Sequence, residues 1–303
     1  MAKLDLLYDR LRGELPGLEV LIDEPMSRHT TFRVGGPAKL MALPKTEEET
    51  VAAVRLAREL EVRPVFVGNG SNLLVDDAGL DAFVVKMTPG LSWWRTEGTV
   101  LTAGSGILLG SLANEAARHG LTGLEFAHGI PGSLGGAVTM NAGAYDGEMR
   151  QVVISVRVLD HRGEIAEIPA EQCEFSYRHS AFSGGERLIL SAALQLAEGD
   201  QTAIRGRMEE LMARRKAKQP LEYPSAGSTF KRPEGHFAAA LIDRCGLKGL
   251  TVGGAQVSEK HAGFIINTGG ATCRDILNLM KQVRERVFRE TGVELEPEVK
   301  YLG

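Results

Sequence analysis

Apolar positions recur at helical spacing in several stretches of the chain. In residues 4–15, Leu4, Leu7, Leu11 and Leu15 form one stripe, which Pro16-Gly17 ends. Thr46-Glu47-Glu48-Glu49 reads as a capping box, in which the Thr46 oxygen accepts from the Glu49 N–H and the Glu49 side chain reaches back. Val51, Val54, Ala57 and Leu60 continue its apolar face. Further helices are predicted over 111–119, closed by Gly120, over 201–218 with Ile204, Met208, Leu211 and Met212 inward, and over 237–245. The last helix, 273–291, carries Ile276, Leu279, Met280, Val283 and Val287 on one face and stops at Gly292. Short apolar runs at 64–67, 73–75, 83–85, 100–103, 152–159 and 188–196 read as strands, and the tail 293–302 as extended. The pattern changes at Glu198-Gly199-Asp200, so a mixed α/β domain is expected on each side of 198–200.

Composition narrows the class. The chain has 303 residues, 43% of them hydrophobic, enough for two cored domains and too many for a disordered one. A formal net charge of -4 argues against a dedicated nucleic-acid binder. Three cysteines, Cys173, Cys245 and Cys273, make neither a disulfide framework nor a metal-binding pair, so no metal is expected. Residues 1–12 are charged and amphipathic rather than signal-like, and no apolar run is long enough to span a bilayer. A cytoplasmic location is expected.

Glycine is the unusual residue, 36 in all, and it clusters. In Val67-Gly68-Asn69-Gly70-Ser71-Asn72-Leu73 a strand breaks into a turn able to aim several N–H groups at one anion, such as a pyrophosphate. The chain then runs on extended instead of opening a helix, and the P-loop lysine is missing, so this is neither a Rossmann loop nor a P-loop. Gly104-Ser105-Gly106-Ile107-Leu108-Leu109-Gly110 imitates a dinucleotide fingerprint with one residue too many, and is expected to be a structural turn with close helix packing. The densest cluster, Gly129-Ile130-Pro131-Gly132-Ser133-Leu134-Gly135-Gly136-Ala137, leads into Asn141-Ala142-Gly143-Ala144-Tyr145. So much glycine is costly as filler, so a ligand is expected against this backbone, with the Asn141 amide offered to a ring's polar edge.

Candidate chemistry lies further on. Arg178, in Tyr177-Arg178-His179-Ser180, is able to clamp a carboxylate. A His179–Ser180 hydrolase is disfavoured because no Gly-x-Ser-x-Gly elbow exists. Ser228 sits in the Gly-flanked turn Ser225-Ala226-Gly227-Ser228, after a helix with Arg214, Arg215, Lys216 and Lys218 near its end. Glu296 and Glu298 lie two apart near the C-terminus, and spacing alone does not choose between them.

Taken in order, the Gly68–Leu73 turn, the 129–145 loop, Tyr177-Arg178-x-Ser180, Ser225-Ala226-Gly227-Ser228-x-Phe230, Leu247-Lys248-Gly249 with Gly253-Gly254, and Pro297-Glu298-Val299 resemble the UDP-N-acetylenolpyruvoylglucosamine reductase family over residues 28–303. The resemblance implies an α+β fold: a two-subdomain FAD-binding fold of the vanillyl-alcohol-oxidase (PCMH) type, followed by an α/β substrate-binding domain. The expected parts are an N-terminal helix and lead-in at 1–29, an FAD-binding domain at 30–197 and a substrate-binding domain at 198–303. It implies non-covalent FAD held by Gly68, Asn69, Gly70, Ser71, Asn72, Leu73, Ile130, Pro131, Gly132, Ser133, Gly136, Ala137, Asn141, Gly143, Ala144 and Arg215. NADPH would be the co-substrate, and the enolpyruvyl ether would be reduced to UDP-N-acetylmuramate for peptidoglycan synthesis. Arg178 and Glu298 would act on the substrate carboxylate, and Ser228 would protonate C2. Lys218 and Lys248 match substrate-side positions, Tyr177 is expected at the substrate too, and Tyr223 is added from its place in the chain. The chain resembles the shorter class, without the tyrosine-bearing insertion, and is expected to be a monomer. Arg232 stands where longer members carry asparagine, and Asp146 where glycine is common. Two rivals remain: a covalent-flavin oxidase, for which His128 is near enough to tempt, and a nucleotide-sugar-binding protein, which would not need Arg178, Ser228 and Glu298 together.

Overall fold

The computed structural model describes residues 3–160 and 163–303; Met1 and Ala2 of the expected lead-in lie outside them. The chain forms two compact units, each assembled from three segments. The first takes residues 1–22, 39–69 and 82–214, and the second takes 23–38, 70–81 and 215–303. This differs from the sequential division expected at 198–200, and packing supplies the reason. Leu7 and Leu11 of the Lys3–Glu14 helix are fully buried in a core with Val54, Ala57 and Phe83, so this helix is part of the first unit rather than a lead-in. Ile204 and Met208 of the Gln201–Lys218 helix enter another core of that unit, beside Leu121 and Val152. Conversely, Phe32, Val34 and Leu74 lie in one core with Ile242, Ile276 and Val283.

In the first unit, Pro64–Val67 pairs in parallel with residues 83–86 of the Leu80–Lys86 strand, setting Val67 opposite Lys86. A five-stranded antiparallel sheet runs Ile165–Pro169, Val153–Leu159, Leu188–Gln195, Val100–Gly104, Trp94–Glu97. The Glu47–Glu59 helix starts at Thr46, whose hydroxyl accepts from Glu49 N at 3.2 Å. The Glu49 carboxylate reaches past Thr46 to the Lys45 N–H at 2.7 Å.

In the second unit, Thr251–Val252, Ala255–Val257 and Ile265–Asn267 form an antiparallel sheet. The Cys273–Thr291 helix has a full capping box from Thr272 and Asp275, and Gly292 ends it at φ 71. The Asp77 carboxylate adds a second cap, accepting from Cys273 N at 2.7 Å and Arg274 N at 3.0 Å. Leu73–Val75 pairs in parallel with Lys300–Leu302, so the tail is strand only in its last residues. Among the described residues no helix is long and apolar enough to cross a membrane, and no acidic, His or Cys cluster could hold a metal.

Candidate active site

Gly68 and Asn69, from the first glycine cluster, meet the third cluster inside the first unit. A β-carbon at Gly68 would stand 2.3 Å from Ser133 Oγ, and one at Gly136 would meet the same hydroxyl at 3.6 Å with nothing else near it. Ser133 Oγ is buried and has no hydrogen-bond partner among the described residues. Asn69 Nδ2 donates to Pro131 O at 2.5 Å, joining the two loops directly. Beneath the turn, Lys86 donates to Gly68 O. A buried hydroxyl lacking a partner, beside the space that Gly136 leaves, suits an anion, and a dinucleotide's pyrophosphate is one. The dense cluster is not all loop, since Leu134–Thr139 is helical. The second cluster is structural, as its spacing suggested: β-carbons at Gly104 and Gly106 would strike Leu91 O at 2.4 Å and Met87 O at 2.1 Å.

Other expected cofactor contacts have local duties. Gly70, at φ 67, would place a β-carbon 2.0 Å from His29 O, so its glycine is demanded by protein backbone. At Gly143 a β-carbon would meet Gly147 O at 2.6 Å, across the hairpin joining Gly143–Ala144 to Gly147–Glu148. Tyr145 and Asp146 turn that hairpin at φ 53 and 67, which explains Asp146: the position needs a left-handed residue, where aspartate substitutes for glycine. Ser71 is half-buried, whereas Asn72 and Leu73 support the C-terminal segment described below.

Asn141 corrects the expectation that its amide faces a ligand. It is 1% exposed, its Nδ2 donates to Glu148 Oε2 at 3.0 Å and Ser176 O at 3.1 Å, and its Oδ1 accepts from Arg150 N at 2.9 Å. Both amide hydrogens are thereby used. Ser176 opens the turn that carries Tyr177 and Arg178, closed by reciprocal backbone bonds between Ser176 and His179 at 3.1 and 3.2 Å. Ser180 Oγ fixes the other end on Thr139 O at 2.8 Å. Arg178 sits at φ 56 in this turn, half-buried, its guanidinium 5.1 Å from the Tyr177 ring centroid. So residues 139–141 hold the turn that presents the arginine.

In the second unit Thr229 brings Ser228 and Glu298 together. Thr229 is 1% exposed; its N–H donates to Gly263 O at 2.9 Å, its Oγ1 accepts from Ile265 N at 3.0 Å, and its carbonyl accepts from Glu298 N at 2.8 Å. Asn72 Nδ2 donates to Glu298 O at 3.0 Å, and Lys300 N to Asn72 O at 2.9 Å. Gly227, at φ 74, has open space where a β-carbon would stand, beside the half-buried Ser228. The structure also separates the two glutamates: Glu296 is an exposed partner of Lys231, and Glu298 is half-buried.

Lys218 and Lys248 converge on His261, which the sequence reading missed. Burial pushes the His261 imidazole below its usual range, and the two lysines push the same way. Lys248 pairs with Asp243 at 2.8 Å. Arg215 is buried near the end of its helix, and Tyr223 is exposed. Arg232 stacks on Phe237 at 4.5 Å. His128 Nδ1 is buried without a hydrogen-bond partner among the described residues. Cys173, Cys245 and Cys273 are free thiols, and burial pushes the first and last up to about 11 and about 12.

The first unit thus carries a glycine-lined turn beside a buried, unpartnered hydroxyl, and the second carries Ser228 and Glu298 on backbones anchored through Thr229; the family models that the chain matches define its class as a flavin-dependent oxidoreductase. Residues 38–169 match the family model of an FAD binding domain, so FAD is the cofactor and the α+β expectation holds. Residues 219–302 match the model for the UDP-N-acetylenolpyruvoylglucosamine reductase C-terminal domain. A reductase of that description from Caldanaerobacter subterraneus subsp. tengcongensis is 47% identical over 299 residues, 99% of each chain. One from Clostridium botulinum is 51% identical over 284 residues, 94% of this chain and 92% of its own. The crystal structure of the Thermus caldophilus enzyme superposes with a TM-score of 0.81 at 38% identity, covering 94% of this chain and 99% of the other. The chain belongs to the UDP-N-acetylenolpyruvoylglucosamine reductase family.

Proposed function

We propose that this chain, acting in the cytoplasm, uses NADPH to reduce the enolpyruvyl ether of UDP-N-acetylglucosamine enolpyruvate to UDP-N-acetylmuramate, a peptidoglycan precursor. FAD, held without a covalent bond by the Gly68–Asn69 and Ile130–Ala137 backbone, supplies hydride-transfer chemistry. The Arg178 guanidinium binds the substrate carboxylate and takes up the charge that develops there. Glu298 acts on the same carboxylate end, and the Ser228 hydroxyl delivers the proton that C2 gains. Lys218 and Lys248 hold the anionic part of the nucleotide sugar as point charges. Supporting this reading above all is the buried Thr229, which directly follows Ser228 and whose carbonyl accepts from the Glu298 N–H, so one anchor holds both backbones in the second unit; a protein that merely bound a nucleotide sugar would not need Arg178, Ser228 and Glu298 together.

The test is anaerobic stopped-flow on Ser228→Ala. Flavin bleaching by NADPH should stay near the wild-type rate. Reoxidation by the enolpyruvyl substrate should slow by about 10²–10⁴, the scale of a lost proton donor. Reoxidation at the wild-type rate would exclude Ser228 as donor. Acid precipitation should leave the flavin in the supernatant; yellow protein in the pellet would favour the oxidase instead.

A further inference from the structure

Lys86 has no place in the chemistry so far, yet it is buried. It is 7% exposed at the end of the Leu80–Lys86 strand, beside Val67 in the parallel register. No carboxylate among the described residues pairs with it; its hydrogen bond goes to Gly68 O. A buried ammonium without a counter-ion is costly unless something else requires it.

The peptide geometry says what that is. The Gly68–Asn69 bond is trans; among the described residues the cis peptide is Thr88–Pro89. In a trans peptide the carbonyl and the next N–H point in opposite directions. The Gly68 carbonyl is held by Lys86, so the Asn69 N–H points away from the ammonium. That N–H has no acceptor among the described residues. We propose that Lys86 is a positioning residue for the cofactor's pyrophosphate: it grips the Gly68 carbonyl from behind, aims the Asn69 N–H at the anion, and places its charge in line with that peptide dipole. This rests on the FAD reading above. Burial pulls Lys86 down to about 8, so it is still mostly cationic near neutral pH. The Asn69 side chain donates to Pro131 O and so tethers the residue that follows the Gly68 carbonyl, and Ser133 Oγ closely approaches Gly68.

The test is equilibrium binding of FAD and of riboflavin, which lacks phosphate, to the flavin-stripped full chain, read by flavin fluorescence. Lys86→Gln keeps a donor for Gly68 O and removes the charge; Lys86→Arg keeps the charge. Gln should raise the FAD Kd about 10- to 100-fold and leave riboflavin within about threefold. Arg should stay closer to wild type than Gln for FAD. Equal losses for both ligands, no loss in the Gln variant, or a loss in Arg as large as in Gln would overturn the proposal. Wild-type chain that binds neither flavin would instead overturn the flavoprotein reading. If the Gln variant does not fold, the Arg variant decides, since preferential loss of riboflavin binding there would also refute a pyrophosphate role.

Discussion

Replacing Asn141 should cost both stability and catalysis, without any contact to substrate. Asn141→Ala removes two donations, to Glu148 and Ser176, and one acceptance, from Arg150. Two of these are ordinary hydrogen bonds worth about 1 kcal/mol each, and the one to a carboxylate about 1.5–3 kcal/mol. The site is buried and at φ 42, a left-handed conformation that alanine adopts less readily than asparagine. The expected loss is therefore about 4 kcal/mol, measured by urea unfolding with the slope held constant. The turn bearing Arg178 then loses its anchor at Ser176, so substrate-driven flavin reoxidation should slow by about 10- to 100-fold. Flavin reduction by NADPH should change far less. Asn141→Asp sharpens the test, since it keeps the acceptor for Arg150 but sets a second carboxylate against Glu148. That variant should regain stability on acidification, as the two carboxylates come to share a proton. An alanine variant within about 1 kcal/mol of wild type and reoxidising at the normal rate would refute the positioning argument.

Three further outcomes are expected. Gly70→Val should destabilise the chain by about 3 kcal/mol or more, because φ 67 and the His29 carbonyl both oppose a side chain; unfolding of the flavin-free protein would show it, and a stable variant would refute it. Lys248→Met and Lys218→Met should raise the substrate KM and leave the NADPH half-reaction nearly unchanged, and a matching loss in that half-reaction would place them elsewhere. Finally, Lys86 falls from 10.5 to about 8 through burial. The folded flavin-free chain thus binds fewer protons than the unfolded one between those values, so this group makes stability rise with pH across that window. The swing is at most about 3 kcal/mol, and any advantage of Lys86→Met in urea at pH 7 should shrink toward pH 10.

Elements with chemical punctuation were legible in the sequence. Thr46 and Gly292 mark real helix ends because caps are local chemistry, whereas the Thr272 cap was missed. The Gly104 cluster was rightly read as structural from its spacing. The strands Glu19–Pro25, Trp94–Glu97 and Ile165–Pro169 were not legible, because none of their residues is fully buried. Lys86 was missed because a lysine ending an apolar strand reads as a surface residue until the topology buries it. Glu296 and Glu298 were inseparable by spacing; Lys231, 65 residues away from the first, draws them apart. The interleaved units were hidden for the same reason: residues 23–38 and 70–81 are too short to announce which core they serve.

The pairing of Leu73–Val75 with Lys300–Leu302 also bears on how the protein is made. A ribosome adding 5–20 residues per second releases the second strand roughly 10–45 s after the first. Until then Leu74 waits for most of its core, because that core draws on residues up to Val299. The nascent chain therefore carries an unpaired strand and apolar segments through most of its own synthesis. Cutting the gene at the apparent boundary near residue 200 would strand them permanently, so a 215–303 fragment should aggregate unless the 23–38 and 70–81 segments are supplied with it.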